Sequence, residues 1–469
     1  MFAMRNQVIP LWITDKALSH KIMNAQNNIF DRICASQFTR ILIVCFLILL
    51  LQIPIVFLLS LVSDRQQLHR VAVSDITSKW GEQQTLIGPQ LVVPYRKWSG
   101  SGKTLRSDMK HATFLPETLQ LSGHLESETR YRGLFKVPVY RANLEISGEF
   151  QRPDFSTWGI KAEDILWDDT ELALQISDTS AIQNQALLSW NSSKIPLAPG
   201  KGKFGSNRPG VHVGLRGKMQ GNAFKFVLPL ELNGSERINL APFGKVTNTK
   251  LTSNWSDPSF QGPWLPENRQ ITAEGFEASW NIPSLGRSYA QQWNNEQPVA
   301  ENLIADSLFG VDLIAPVDNY RMVNRSIKYN FLFLVLTFAV FWLFEVIVRL
   351  RVHPLQYLMI GTAMCMFYLL QLSLSEHIGF QIAYLVASGA VVVLTTTYSI
   401  AVLKASQRGG TIGITQAMLY GYLYIVLAHQ SYALLIGSIG LFLFLAVVMY
   451  LTRRIDWFNL NQTTDSERA

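Results

Sequence analysis

Residues 41–62 read ILIVCFLILLLQIPIVFLLSLV, 22 positions without one charged side chain. As a helix rising 1.5 Å per residue, such a run crosses ~30 Å of hydrocarbon, and a helix satisfies all its backbone polar groups internally. It is too long for the roughly 7–15-residue core of a secretory leader. Forty residues precede it, and no small-residue cleavage pattern separates it from Asp64 and Arg65, so it reads as a retained anchor.

Five more apolar runs follow toward the C-terminus: 329–348, 355–374, 379–403, 411–428 and 433–451. Between the first and second runs lie 266 residues, 63–328, enough for a core of their own. The expected organisation is a tail at 1–40, an anchor at 41–62, an outer domain at 63–328, a five-helix block at 329–451 and a tail at 452–469. Composition agrees: over 469 residues, 48% are apolar and 16% charged, where a soluble domain carries roughly 25% charged. That excludes a disordered chain and argues against an ordinary soluble enzyme.

The basic residues orient the spans. Arg5, Lys16, Lys21, Arg32 and Arg40 precede the first run, Arg349 and Arg351 follow the second, Lys404 and Arg408 follow the fourth, and Arg453, Arg454 and Arg468 follow the last. With six spans all twelve fall on one side, while the short loops at Glu376–His377 and His429–Ser431 hold no Lys or Arg. The positive-inside rule then predicts both termini in the cytoplasm and 63–328 outside. Of the net charge of +7, the cytoplasmic pieces account for twelve basic against five acidic residues, and the outer domain for 29 against 27. The pI of 9.2 therefore reports topology and attraction to anionic headgroups, and nucleic acid is not an expected partner.

The outer domain reads as β-structure. Tyr140–Phe150, Phe224–Leu232 and Phe276–Ile282 alternate apolar and polar positions; Leu119–Leu125 and Leu172–Ile176 do so less fully. Period two between Gly, Pro, Asn and Asp clusters predicts antiparallel strands in a sandwich-like domain, with helical periodicity only near Ala72–Leu86. Nine of the twelve tryptophans lie here, which suits core and edge packing. Cys34, Cys45 and Cys365 all lie elsewhere, so the domain is expected to fold without disulfides.

Chemical motifs are thin. Ser99–Thr104 ends like a phosphate-binding loop, but Lys97 stands where that pattern needs glycine. Gly200–Gly205 matches GxGxxG between prolines, without the strand and helix the motif requires. The outer histidines, His69, His111, His124 and His212, have no metal-site spacing, and no GxSxG occurs. No cofactor, metal or enzymatic activity is expected; a dispersed Ser-His-Asp triad is the one hydrolase arrangement left open. In the membrane block, Glu345 precedes Arg349 by four residues, the spacing of a helical ion pair. Glu376 and His377 are expected in an outer hairpin, as a candidate site at the membrane interface.

Leu251-Thr-Ser-Asn-Trp255, followed by Pro258-Ser-Phe260, Gly262 and Leu265-Pro266, resembles a signature of the CreD family of bacterial inner-membrane proteins. So do His353-Pro-Leu-Gln-Tyr357, Phe367–Leu370 with Leu374–His377 and Gly379-Phe380, and Arg454-Ile-Asp-Trp457, in family order from about Gln37 to Trp457. The resemblance implies an envelope-integrity protein under a two-component stress regulon, its outer domain periplasmic, with no family catalytic residues to carry over. Two functions follow as expectations. One is a non-enzymatic maintenance protein whose periplasmic domain binds an envelope protein, lipid or cell-wall component. The other is a transport or lipid-handling component, which a polar cavity containing Glu345, Gln371 or Gln416 would favour.

Overall fold

The structure, a computed structural model, describes residues 37–99, 106–202, 209–313, 319–348, 352–429 and 432–453. Its helices are α1 (Gln37–Leu50), α2 (Gln52–Trp80), the single-turn α3 (Glu301–Ala305), α4 (Asn319–Lys328), α5 (Asn330–Val348), α6 (Pro354–Ile378), α7 (Phe380–Leu403), α8 (Ser406–Ala428) and α9 (Ala433–Thr452). Among the described residues six helical segments are long and apolar enough to cross a membrane, the first running Thr39–Trp80. The chain forms two compact units, residues 67–316 and the remainder.

The helix that carries the first apolar run is interrupted once, at Leu51. Pro54 is the cause: it has no N–H for the Leu50 carbonyl, and its ring crowds that oxygen. Beyond it no glycine or proline intervenes before Gly81, so α2 outlasts the apolar run by 18 residues, from Ser63 to Trp80. The helical reading near Ala72–Leu86 thus holds for its first part; Leu86 already lies in a strand.

The unit at 67–316 is a β-sandwich. Among the described residues one sheet has nine strands built around β1 (Gln84–Ser99), which pairs with β2 (Arg106–Phe114), Glu171–Ile176 and Arg237–Leu240. The other has eight, running from Asn268–Thr272 through Gly275–Pro283, Val246–Ser253, β3 (Thr118–Arg132), β4 (Phe135–Gln151) and Ala223–Ser235 to Leu187–Trp190 and Ser193–Pro196. The five alternating stretches all lie in strands. Both sheets are mixed, however: β1 runs parallel to Arg237–Leu240 and β3 parallel to Val246–Ser253. Alternation reports which face is buried and is silent on the direction of a neighbouring strand. One core fills the space between the sheets, and seven of the nine tryptophans pack in or against it. Trp190 is fully buried, stacked on Phe224 with centroids 5.5 Å apart.

The signature at Leu251–Trp255 has a local role. The Asn254 side chain accepts from the Ser127 N–H at 2.7 Å and donates to its carbonyl at 3.0 Å, while Ser253 Oγ donates to the Leu125 carbonyl at 2.8 Å. Together they bolt the end of one strand to β3. The loop-like stretches at 100–104 and 203–205 lie outside the described residues.

In the other unit, Leu47, Leu51, Ile55, Leu58 and Val62 of the first apolar run share a buried cluster with α4–α8. The start of α6 is set by His353-Pro-Leu-Gln: the His353 ring accepts from Leu355 N–H at 3.2 Å, and the Gln356 side chain accepts from His353 N–H at 3.0 Å. That is a reciprocal cap, with Pro354 at the first helical position where its missing N–H costs nothing.

Candidate functional site in the helix block

Two carboxylates stand out in this unit. Glu345, on α5, is 6% exposed. Its Oε1 accepts from Arg40 Nη1 at 2.5 Å and from the Val352 N–H at 3.3 Å, and its Oε2 from the Tyr357 hydroxyl at 3.0 Å. Arg40 comes from α1 and Tyr357 from the first turn of α6, so one carboxylate ties three elements. Arg349, the partner suggested by helical spacing, lies outside the described residues.

Glu376 and His377 sit in the last turn of α6, with Gly379 alone between that helix and α7. The structure separates their surroundings. The Glu376 side chain is 9% exposed; it accepts from the Tyr320 hydroxyl at 2.9 Å and lies 3.7 Å from Arg65 Nε. Beside it, Asn319 donates to the Ser375 carbonyl at 2.9 Å. His377 is exposed. Sequence reading missed Arg40, Arg65, Tyr320 and Tyr357 as partners, because nothing local links residues so far apart in the chain.

A third group lies within the block. Tyr420 on α8 packs its ring 4.7 Å from Phe333 and 4.8 Å from Phe367, between the turns that carry Asn330 on α5 and Tyr368 and Gln371 on α6. Tyr384 on α7 donates to the Tyr420 carbonyl at 2.7 Å, and Thr395 to the Gln416 side chain. Among the described residues, the amides of Asn330 and Gln371 and the hydroxyls of Tyr368 and Tyr420 are buried without a hydrogen-bond partner. Polar groups held this way in a membrane are costly, and functional more often than ornamental. Their sequence signal was the helical spacing of Tyr368, Gln371 and Ser375 within an apolar run. A separate crevice between α5, α6, α7 and α8, with room for about one water, is lined by Phe341, Phe344, Ile360, Ile412, Gln356 and Ser399; Glu345, Gln371 and Gln416 are not in its lining.

A polytopic membrane protein with a large mixed β-sandwich between its first and second spans is the class these features define. The family described as "Inner membrane protein CreD" matches residues 36–458. Inner membrane protein CreD of Escherichia coli (strain K12) is 30% identical over 417 residues, covering 88% of this chain and 91% of that protein. The chain belongs to the CreD family of inner-membrane proteins.

Proposed function

We propose that this protein maintains the cell envelope without carrying out a reaction: both termini are cytoplasmic, residues 63–328 are periplasmic, and the sandwich binds an envelope protein, lipid or cell-wall component. The observation that carries this reading is how the two acidic side chains of the helix block are used. Glu345 meets Arg40 and Glu376 meets Arg65, cations 25 residues apart on the first apolar helix. At 1.5 Å per residue that is ~37 Å, close to the height of a bilayer with its interfacial layers. Each carboxylate thus contacts the first helix near one end of the block, a structural use of the charge that suits a scaffold. The one-sided basic residues support the orientation.

Complementation of a deletion strain under detergent or cell-wall stress tests the reading. Glu376→Gln and His377→Ala are expected to leave membrane level and phenotype nearly unchanged: the new amide still accepts from Tyr320, the 3.7 Å contact it gives up is with an Arg65 that is 41% exposed and stays solvated, and His377 is exposed. Loss of complementation at normal protein level overturns the proposal.

The second reading, transport or lipid handling, is supported by the buried amides of Asn330 and Gln371. Asn330→Leu with Gln371→Leu separates the two. A maintenance scaffold keeps complementing, whereas a polar path through the block loses its function while the protein stays folded.

A further inference from the structure

The hairpin joining β3 to β4 carries RYRGLFK at its tip, residues 130–136, with three cations and no carboxylate. Gly133 has φ 59° and Leu134 lies outside the positive-φ region, so the two-residue turn takes the form that needs glycine first. The hairpin lies along α2. The Trp80 indole donates to the Tyr140 carbonyl at 3.2 Å, and the Arg130 guanidinium sits 3.5 Å over the Trp80 ring. Further along, Arg132 pairs with Asp75, and the Phe135 ring meets His69 edge-on at 5.3 Å. Trp80, Asp75 and His69 step back along α2 toward its apolar run as the hairpin approaches its tip.

His69 is seven residues beyond Val62, the last of the uncharged run, or ~10 Å along the helix. That brings the tip within side-chain reach of the headgroup layer. What it exposes there suits that layer. Tyr131 is 65% and Leu134 47% exposed, and on the same stretch of α2 Leu68 is 51% and Val71 59% exposed. Among them stand the exposed cations Arg70 and Lys136, the latter 5.8 Å from the Tyr131 ring. Large apolar side chains with a tyrosine and long cations make up an interfacial belt, the rings and aliphatic stems below and the charges at the phosphates.

We propose that the β3–β4 hairpin tip, with Leu68, Arg70 and Val71 of α2, is a membrane-surface site that seats in the headgroup layer of an anionic phospholipid bilayer. It needs only that residues 41–62 cross the membrane, and stands apart from the envelope-maintenance reading.

The test uses the full chain in vesicles of phosphatidylglycerol mixed with phosphatidylcholine. A bimane label is placed at Leu134→Cys, and separately at Leu285→Cys, a control that is 96% exposed, with Cys34, Cys45 and Cys365 changed to alanine. A lipid-borne nitroxide is expected to quench the label at position 134 several-fold more than the control, and aqueous iodide several-fold less. Arg70→Gln with Lys136→Gln, or vesicles of phosphatidylcholine alone, should reduce that difference. Iodide quenching at 134 equal to the control overturns the proposal. Shielding from both quenchers overturns it too, because a protein surface, a second copy or another partner, then covers the tip. On the unsubstituted protein, photoactivatable phosphatidylglycerol should crosslink within residues 131–136; crosslinking confined to the apolar helices overturns it as well.

Discussion

Glu345 and Arg40 show what a buried charge demands of its neighbours. The carboxylate is 6% exposed and its cation comes from another helix. Removing the cation strands a buried charge, so Arg40→Gln is expected to cost ~3–5 kcal/mol, against ~1.5–3 kcal/mol for Tyr357→Phe, which deletes one hydrogen bond to a charged group. Thermal unfolding in detergent checks both, and adding Glu345→Gln to Arg40→Gln should restore part of the loss. In the sandwich, His111 titrates below the ordinary imidazole value of 6.5, held down by burial and then by the Lys110 ammonium. The folded state binds this proton more weakly than the unfolded state does. Its stabilising contribution is therefore full above about pH 6.5 and is lost as the pH falls toward the folded pKa. A melting temperature followed from about pH 7 to pH 5 should fall less steeply for His111→Gln than for the parent protein.

Helices and strands here are joined at a few tight places. On α6, a Cβ added at Gly361 would lie 2.2 Å from Leu51 Cδ1 and 2.9 Å from Phe338 Cζ. The first apolar helix and α5 both crowd that position, so Gly361→Val is expected to destabilise by ~1–3 kcal/mol through overpacking, read as a lower midpoint in a detergent melt. In the sandwich, Asn254→Ala removes both hydrogen bonds to the Ser127 backbone and leaves that N–H without its acceptor. A loss of ~1–3 kcal/mol follows, measured on the same melt. The family motifs at 251–255 and 353–357 were legible in the sequence as words. The cap at 353–356 closes within its own motif, whereas the strand bolt at 253–254 works through Leu125 and Ser127, partners 128 and 127 residues away that the motif does not contain.

Across the whole molecule, the membrane topology is the expectation with the widest reach. Twelve basic residues on one side of six spans predict that an alkaline phosphatase fusion is inactive at Ala469 and active at Gly200. Activity at Ala469, or its absence at Gly200, reverses the orientation and with it the periplasmic assignment of the sandwich. The same fusions bear on the ion pairs: with Ala469 inactive and Gly200 active, Arg40 lies at the cytoplasmic end of the block and Arg65 at the other.

The six spans, the intervening β-domain and its strand-forming stretches are all readable from the chain, because each rests on a local quantity. A run of apolar residues has a length, and an alternating strand has a period, whatever the rest of the molecule does. Where the local signal is absent, folding supplies the answer. β1 carries no alternation because Leu86–Tyr95 is buried on both faces at the centre of its sheet. The parallel pairings of β1 and β3 depend on which distant strands arrive beside them. Glu345 finds Arg40 at a separation of 305 residues, and Glu376 is enclosed by Tyr320 and Arg65 from two other parts of the chain. Charge and spacing mark such a carboxylate as costly; its partner is chosen by the path that brings distant helices together, and that path has no local signature.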